Sequence, residues 1–317
     1  MRLGRQTRLK LLVAADPPFL LDVDTGKVTP LTGVDIADTP TLSVMEVGTK
    51  TVISVEHGTP PKLPSSELYV VGRGGTRASR IATGSAITAA PAADGAAVWV
   101  KSYETSRQCS LREVALTGKQ LRRATRIACS TNLVNAAGRS LLLGRLWFSD
   151  PATGTRWRRR QTEYPWIFTG RYVLTADNDR LTLRLLDLTN HDQVSLRCPG
   201  PLAWGMDVPA VQPGGRLWAL AFSTPALDSN GTQATDVWLF DPASHRRQHL
   251  PDMPAIVDLK FTSMAWTADG RLVFLARTAG RYTVAVWRPG QRRIAAPPVQ
   301  IPNHNSGSDS FVVWSSR

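Results

Sequence analysis

Leu183-Arg-Leu-Leu-Asp-Leu-Thr-Asn190-His carries the reading of this chain. An apolar run ends on an Asp, passes through a Thr and closes on a residue that tolerates positive φ, which is how a strand enters a tight hairpin. The same grammar returns at Phe19-Leu-Leu-Asp-Val-Asp-Thr-Gly26-Lys, Leu68-Tyr-Val-Val-Gly-Arg-Gly-Gly75-Thr and Leu111-Arg-Glu-Val-Ala-Leu-Thr-Gly118-Lys. It continues at Trp147-Phe-Ser-Asp-Pro-Ala-Thr-Gly154-Thr, Val237-Trp-Leu-Phe-Asp-Pro-Ala-Ser244-His and Val284-Ala-Val-Trp-Arg-Pro-Gly290-Gln. Seven copies stand 36 to 54 residues apart, with a mean step of 44.

A second turn falls about once per step, at Val47-Gly48, Asp94-Gly95, Ala137-Gly138-Arg, Thr169-Gly170-Arg, Gly214-Gly215-Arg and Asp269-Gly270-Arg. Each precedes a β-rich apolar run such as Leu217-Trp-Ala-Leu-Ala-Phe222. Two hairpins per repeat make a four-stranded meander, and no apolar period of 3.6 residues runs long enough for a substantial helix. Units of this length and strand count are β-propeller blades. The expected fold is therefore all-β: a seven-bladed propeller of four-stranded antiparallel blades, with six or eight blades as lesser alternatives. The expected blades are 9–31 with 310–316, 39–81, 85–127, 131–160, 165–199, 203–250 and 257–297, in one domain over 1–317. The N-terminal segment supplies three strands, and Phe311-Val-Val-Trp314-Ser-Ser, which matches Ser263-Met-Ala-Trp266-Thr-Ala, is read as the missing one. Such a clasp leaves no open edge.

The Asp-Gly-Arg turns before β-runs and the Leu-Asp-x-x-Thr-Gly hairpins resemble those of WD40-like and TolB-like β-propellers, across essentially the whole chain. The Arg-rich, Lys-poor usage, 31 Arg to 7 Lys, is similar to that of actinobacterial propellers. The segment Asp150–Trp157 also resembles a quinoprotein repeat, but it occurs once and without the adjacent cysteine pair of such enzymes, so no cofactor is expected.

The 317 residues carry a net charge of +13. This favours polyanionic partners without naming one, and specific nucleic-acid recognition has no motif to support it. No apolar run reaches the ~20 residues of a membrane helix. The arginines cluster near outer strands, at Arg77 and Arg80, Arg122, Arg123 and Arg126, Arg156 to Arg160, Arg246 and Arg247, and Arg292 and Arg293. Most of the ten tryptophans sit inside apolar strands and are read as packing between blades, with Trp157 and Trp204 less easily placed. Cys109 and Cys129 flank one hairpin, and pairing about Thr117-Gly118 sets Cys109 opposite residues 126 to 128. A disulfide is expected, with two reduced strand cysteines as the alternative. A disulfide favours an extracytoplasmic location. A complete secretory signal is not expected, which favours the cytoplasm unless the chain is the trimmed outer part of a longer, anchored protein; the extracytoplasmic location is slightly preferred over the cytoplasmic one.

Long irregular segments, His57–Ser66, Ser102–Gln108, Ser223–Thr235 and Pro302–Ser310, belong to one set of loops. The expected binding face carries His57, Lys62, Trp204, Asp228, Asn230 and His304. No nucleophile elbow, phosphate loop or zinc motif is present, and His245 and His249 fall at a hairpin turn and the strand after it rather than on a helix. No catalytic, cofactor or metal residue is therefore assigned. The leading expectation is a monomeric, non-enzymatic scaffold that binds a protein or an anionic surface polymer through the long-loop face. The alternative is a propeller hydrolase or lyase acting on a carbohydrate or lactone at the channel mouth, since catalytic groups drawn from several blades leave no local motif.

Overall fold

A computed structural model describes residues 7–36, 41–58, 63–105, 107–137, 139–177, 182–197, 205–206, 209–224, 233–257, 263–278, 281–297, 299, 301 and 310–315. Backbone contacts divide the chain into two compact units, Met1–Leu31 with Pro199–Asn305 and Asp309–Arg317, and Thr32–Cys198 with Ser306–Ser308.

In the first unit, β1 (Leu9–Val13), β2 (Phe19–Asp22) and β3 (Val28–Pro30) form a sheet completed by the last strand, β28 (Phe311–Ser315). β28 runs antiparallel to β1, from Leu9 opposite Ser315 to Val13 opposite Phe311. In the second unit, β4 (Thr41–Val47), β5 (Lys50–His57), β6 (Ser65–Gly72), β7 (Ser79–Pro91), β8 (Ala97–Tyr103), β9 (Gln108–Ala115) and β10 (Thr125–Ala128) form one sheet. Two four-stranded sheets follow: β11 (Asn132–Ala136), β12 (Arg139–Leu143), β13 (Trp147–Ser149) and β14 (Arg156–Arg158), then β15 (Tyr164–Phe168), β16 (Tyr172–Ala176), β17 (Thr182–Asp187) and β18 (Gln193–Arg197). The first unit resumes with β19 (Gly205–Met206), β20 (Ala210–Val211), β21 (Trp218–Ser223), β22 (Gln233–Asp241), β23 (Arg246–His249) and β24 (Ala255–Val257). Its last sheet holds β25 (Ser263–Trp266), β26 (Leu272–Thr278) and β27 (Arg281–Trp287).

Every strand pairing within these sheets is antiparallel and the described residues hold no α-helix, so the succession of meanders is a β-propeller fold. Two details correct the sequence reading. The second and third repeats share one seven-stranded sheet, because β7 pairs with β6 through Ser79–Ser85 and with β8 through Ser85–Pro91. The loops at 57–66, 102–108 and 223–235 are shorter than expected, since His57, Ser65, Tyr103, Gln108, Ser223 and Gln233 already belong to strands. Backbone ladders extend past the last apolar residue, which is where pattern reading stops. Among the described residues no helix is long and apolar enough to cross a membrane.

The recurrent Asp shares one local job across the repeats. Asp150 Oδ1 accepts from Ala152 N at 2.8 Å, Asp187 Oδ1 from Thr189 N at 2.9 Å, and Asp241 Oδ1 from Ala243 N at 2.9 Å. Asp22 Oδ1 does the same for Asp24 N and Thr25 N, at 3.1 and 3.0 Å. A carboxylate that captures the amide two residues on fixes the turn before the return strand pairs. The other turn is fixed by space: a Cβ on Gly48, at φ 60°, would lie 2.3 Å from the carbonyl oxygen of Gly95, so the two loops meet only because no side chain intervenes.

Packing between sheets supplies the core. Leu9, Leu11, Val13 and Leu21 pack with Val273, Leu275, Val284, Phe311 and Val313 in the first unit. Val134, Leu141 and Phe148 pack with Phe168 and Val173 in the second. Trp99, Trp218, Trp266, Trp287 and Trp314 are buried, and Trp157 packs between Phe148 and Phe168 at 5.5 and 6.1 Å. The Sγ atoms of Cys109 and Cys129 form a disulfide, and Cys109 stands opposite Ile127.

Asp187 ties its turn to the next loop back. Arg171 donates to its Oδ2 from Nε and Nη2, at 3.0 and 2.8 Å, and these bonds hold the carboxyl well below the usual carboxylate range. A depressed carboxyl contributes stability that is complete above its unfolded pKa and is lost as pH falls toward the folded one. Urea titrations should therefore show wild-type protein losing more stability than Asp187→Asn from about pH 4 downward. Equal acid losses in the two proteins would contradict this.

Candidate active site

Of the residues expected on a binding face, His57 ends β5, half-buried and opposite Ser65. Lys62, Trp204, Asp228, Asn230 and His304 lie outside the described residues.

A different constellation is assembled on β22 and β23. The Asp241 turn sets the register of this hairpin, so that Trp238 stands opposite His249. Further along, β22 changes its outer partner: Gln233–Thr235 pair with β24, and Leu250 N returns to Val237 O at 3.0 Å. Asp236 falls in the gap between the two ladders, where its side chain turns to other side chains for partners. Its Oδ1 lies 2.5 Å from His249 Nε2, and its Oδ2 accepts from Trp238 Nε1 at 2.9 Å. The indole and imidazole rings are 4.7 Å apart and tilted by 45°. The Asp236 side chain is 10% exposed and that of His249 is 40% exposed.

This is a buried carboxylate held by one fixed donor and aimed at one nitrogen of a solvent-reached imidazole. The bond places the neutral ring's proton on Nε2 and leaves the Nδ1 lone pair available, and among the described residues Nδ1 has no hydrogen-bond partner. An imidazole with an available lone pair and a carboxylate that orients it are parts of general base catalysis.

In the sequence Asp236 directly follows the irregular segment Ser223–Thr235, and His249 falls on the strand after a hairpin turn. The signal that could have joined them was the hairpin register: counting back from the Asp241 turn sets residue 249 beside 238, next to Asp236. Trp238, expected to serve packing, instead carries a polar role through its N–H. The buried Glu163 is a different case: its carboxylate is engaged by Arg184 and by Arg160 N at 3.0 Å, a closed clamp before β15 with no outward group. Among the described residues no group of three or more His, Cys, Asp or Glu is placed to hold a metal ion.

No family model matches the chain, and no curated protein matches it. Solved structures do. A putative 6-phosphogluconolactonase from Bacteroides fragilis is 10% identical with a TM-score of 0.60, over 98% of this chain and 99% of that one. One from Bacteroides uniformis is 10% identical with a TM-score of 0.61, over 96% and 99%. A prolyl endopeptidase structure is 11% identical with a TM-score of 0.59, over 92% of this chain and 48% of that one. At these identities the likeness shows the β-propeller fold. It also overturns the expectation of a non-enzymatic scaffold, because the propellers matching the chain end to end carry a lactonase name, which accords better with the hydrolase alternative.

The geometry makes a direct spectroscopic prediction. Long-range nitrogen–proton NMR of neutral His249 should show the proton on Nε2, and Asp236→Asn, whose amide can donate to that nitrogen, should move it to Nδ1. An Nδ1-protonated ring in the wild-type protein would contradict the assignment.

Proposed function

We propose that the chain is a propeller-fold hydrolase that opens the lactone ring of a carbohydrate acid, with His249 as general base and Asp236 as its orienting carboxylate. The observation that carries this reading is the bond from Nε2 of the partly exposed His249 to the buried Asp236, which leaves Nδ1 as the basic nitrogen of the neutral ring. The shared fold of the lactonase-named propellers supports the reaction class, and the +13 charge favours an acidic or phosphorylated substrate.

In this mechanism Nδ1 takes a proton from water as the water oxygen bonds to the lactone carbonyl carbon. Asp236 stabilises the imidazolium while the tetrahedral intermediate forms. Its collapse breaks the bond between the acyl carbon and the ring oxygen, and the imidazolium returns its proton to that oxygen. The product is the open hydroxy acid, and the base is regenerated. Trp238 is a positioning residue that keeps the carboxylate from rotating away.

The proposal includes one closed seven-bladed ring as the scaffold, on the strength of the repeats, and a TolB-like kinship on the strength of the Asp-Gly-Arg turns. The Cys109–Cys129 bond supports an extracytoplasmic home.

The test is acid release from glucono-δ-lactone and its 6-phosphate, measured above spontaneous hydrolysis. Wild-type protein should accelerate at least one of them, His249→Asn should lose about 10²–10⁴ of that rate, and Trp238→Phe should stay folded with a smaller loss. No acceleration of either lactone, or equal rates with and without His249, would refute the reading.

A further inference from the structure

A cleft of about 470 Å³ lies in the second unit, between the β9–β10 hairpin and the sheet of β12 to β14. Four arginines, Arg122, Arg123, Arg126 and Arg156, converge on it from two neighbouring sheets, and Trp99 and Trp147 form part of its wall. Their charge is poorly balanced. Arg122 pairs with Glu113 at 2.9 Å, while Asp150, the acid lining the cleft, spends Oδ1 on its own turn at Ala152 N. Among the described residues Arg123, Arg126 and Arg156 have no carboxylate within ion-pair reach.

Two of the guanidinium groups are held in place by aromatic faces. Arg156 sits 4.7 Å over the Trp147 ring and Arg122 5.8 Å over that of Trp99. Stacking of this kind fixes the plane of the fork before a ligand arrives, so less freedom is lost on binding. The strand that presents Arg126 is also fixed. Among the described residues β10 has β9 as its only sheet neighbour, but the disulfide joins the two at Cys129, and Lys101 Nζ donates to the Cys129 carbonyl at 2.8 Å.

We propose that this cleft binds a phosphomonoester carried on a compact ring, such as a sugar phosphate or a mononucleotide. Three uncompensated guanidinium groups match a dianion with several acceptor oxygens better than a single carboxylate. The apolar wall of Leu111, Ile127 and Leu142 suits the ring body rather than a bare ion, and the volume is that of a small-molecule site. The site shares no residue with the Asp236–His249 pair and does not rest on the lactonase reading.

Calorimetric titration of the full, oxidised chain with glucose 6-phosphate, AMP, inorganic phosphate and sulfate tests it. At least one of the two esters should bind more tightly than either inorganic ion, and the one preferred identifies the ring body. Arg126→Ala and Arg156→Ala should each weaken ester binding about tenfold, and Arg156→Lys should restore only part of the loss. All of these residues are exposed, so the variants should keep the wild-type circular dichroism. No binding of either ester, equal binding of esters and inorganic ions, or ester binding unchanged in the Arg126→Ala/Arg156→Ala double variant would overturn the proposal.

Discussion

The pairing of β28 with β1 is the constraint on which the first unit depends. Without β28, the strand Leu9–Val13 would present an unpaired backbone edge, and buried amides and carbonyls without partners are costly. The closing strand is apolar where it must be: Phe311, Val312, Val313 and Trp314 are all buried, and Phe311 and Val313 join the same core as Leu11 and Val273. Two segments about three hundred residues apart in sequence are thereby made neighbours. The strands that carry Asp236 and His249 belong to the unit that this closure completes.

Within a sheet, strength comes from local turns that need no help from distant residues. The Asp at the end of a strand bonds forward to its own turn, and the return strand then pairs in a fixed register. The same register has chemical consequences. In the sixth repeat it sets Trp238 against His249, and the change of outer partner from β23 to β24 leaves Asp236 facing the imidazole. A repeat scaffold thus acquires a paired carboxylate and imidazole where the outer partner of one strand changes.

The fold was legible because its determinants are local and repeated: apolar runs, Asp-led turns, and glycines where two loops approach closely. The nearness of Cys109 and Cys129 could be reached by counting along one hairpin. The Asp236–His249 pair was also within reach of such counting, yet it was missed because Asp236 follows a long irregular segment and the strand start was placed too late. The arginine cleft was not legible at all. Its four arginines were visible as clusters on outer strands, but their convergence depends on how two sheets pack, and the stacking on Trp99 and Trp147 depends on side-chain packing that no repeat pattern encodes. Five of the six residues expected to form a binding face fall on segments outside the described residues, where loop length alone had suggested them.

The central claim is that His249 serves as a base, and chemical rescue tests it most directly. His249→Gly should abolish acceleration of lactone hydrolysis, and added imidazole should restore it in proportion to concentration, with no such gain for Asp236→Asn. A His249→Gly protein as active as wild type, or an inactive one that imidazole leaves unchanged while its fold is intact, would contradict the account.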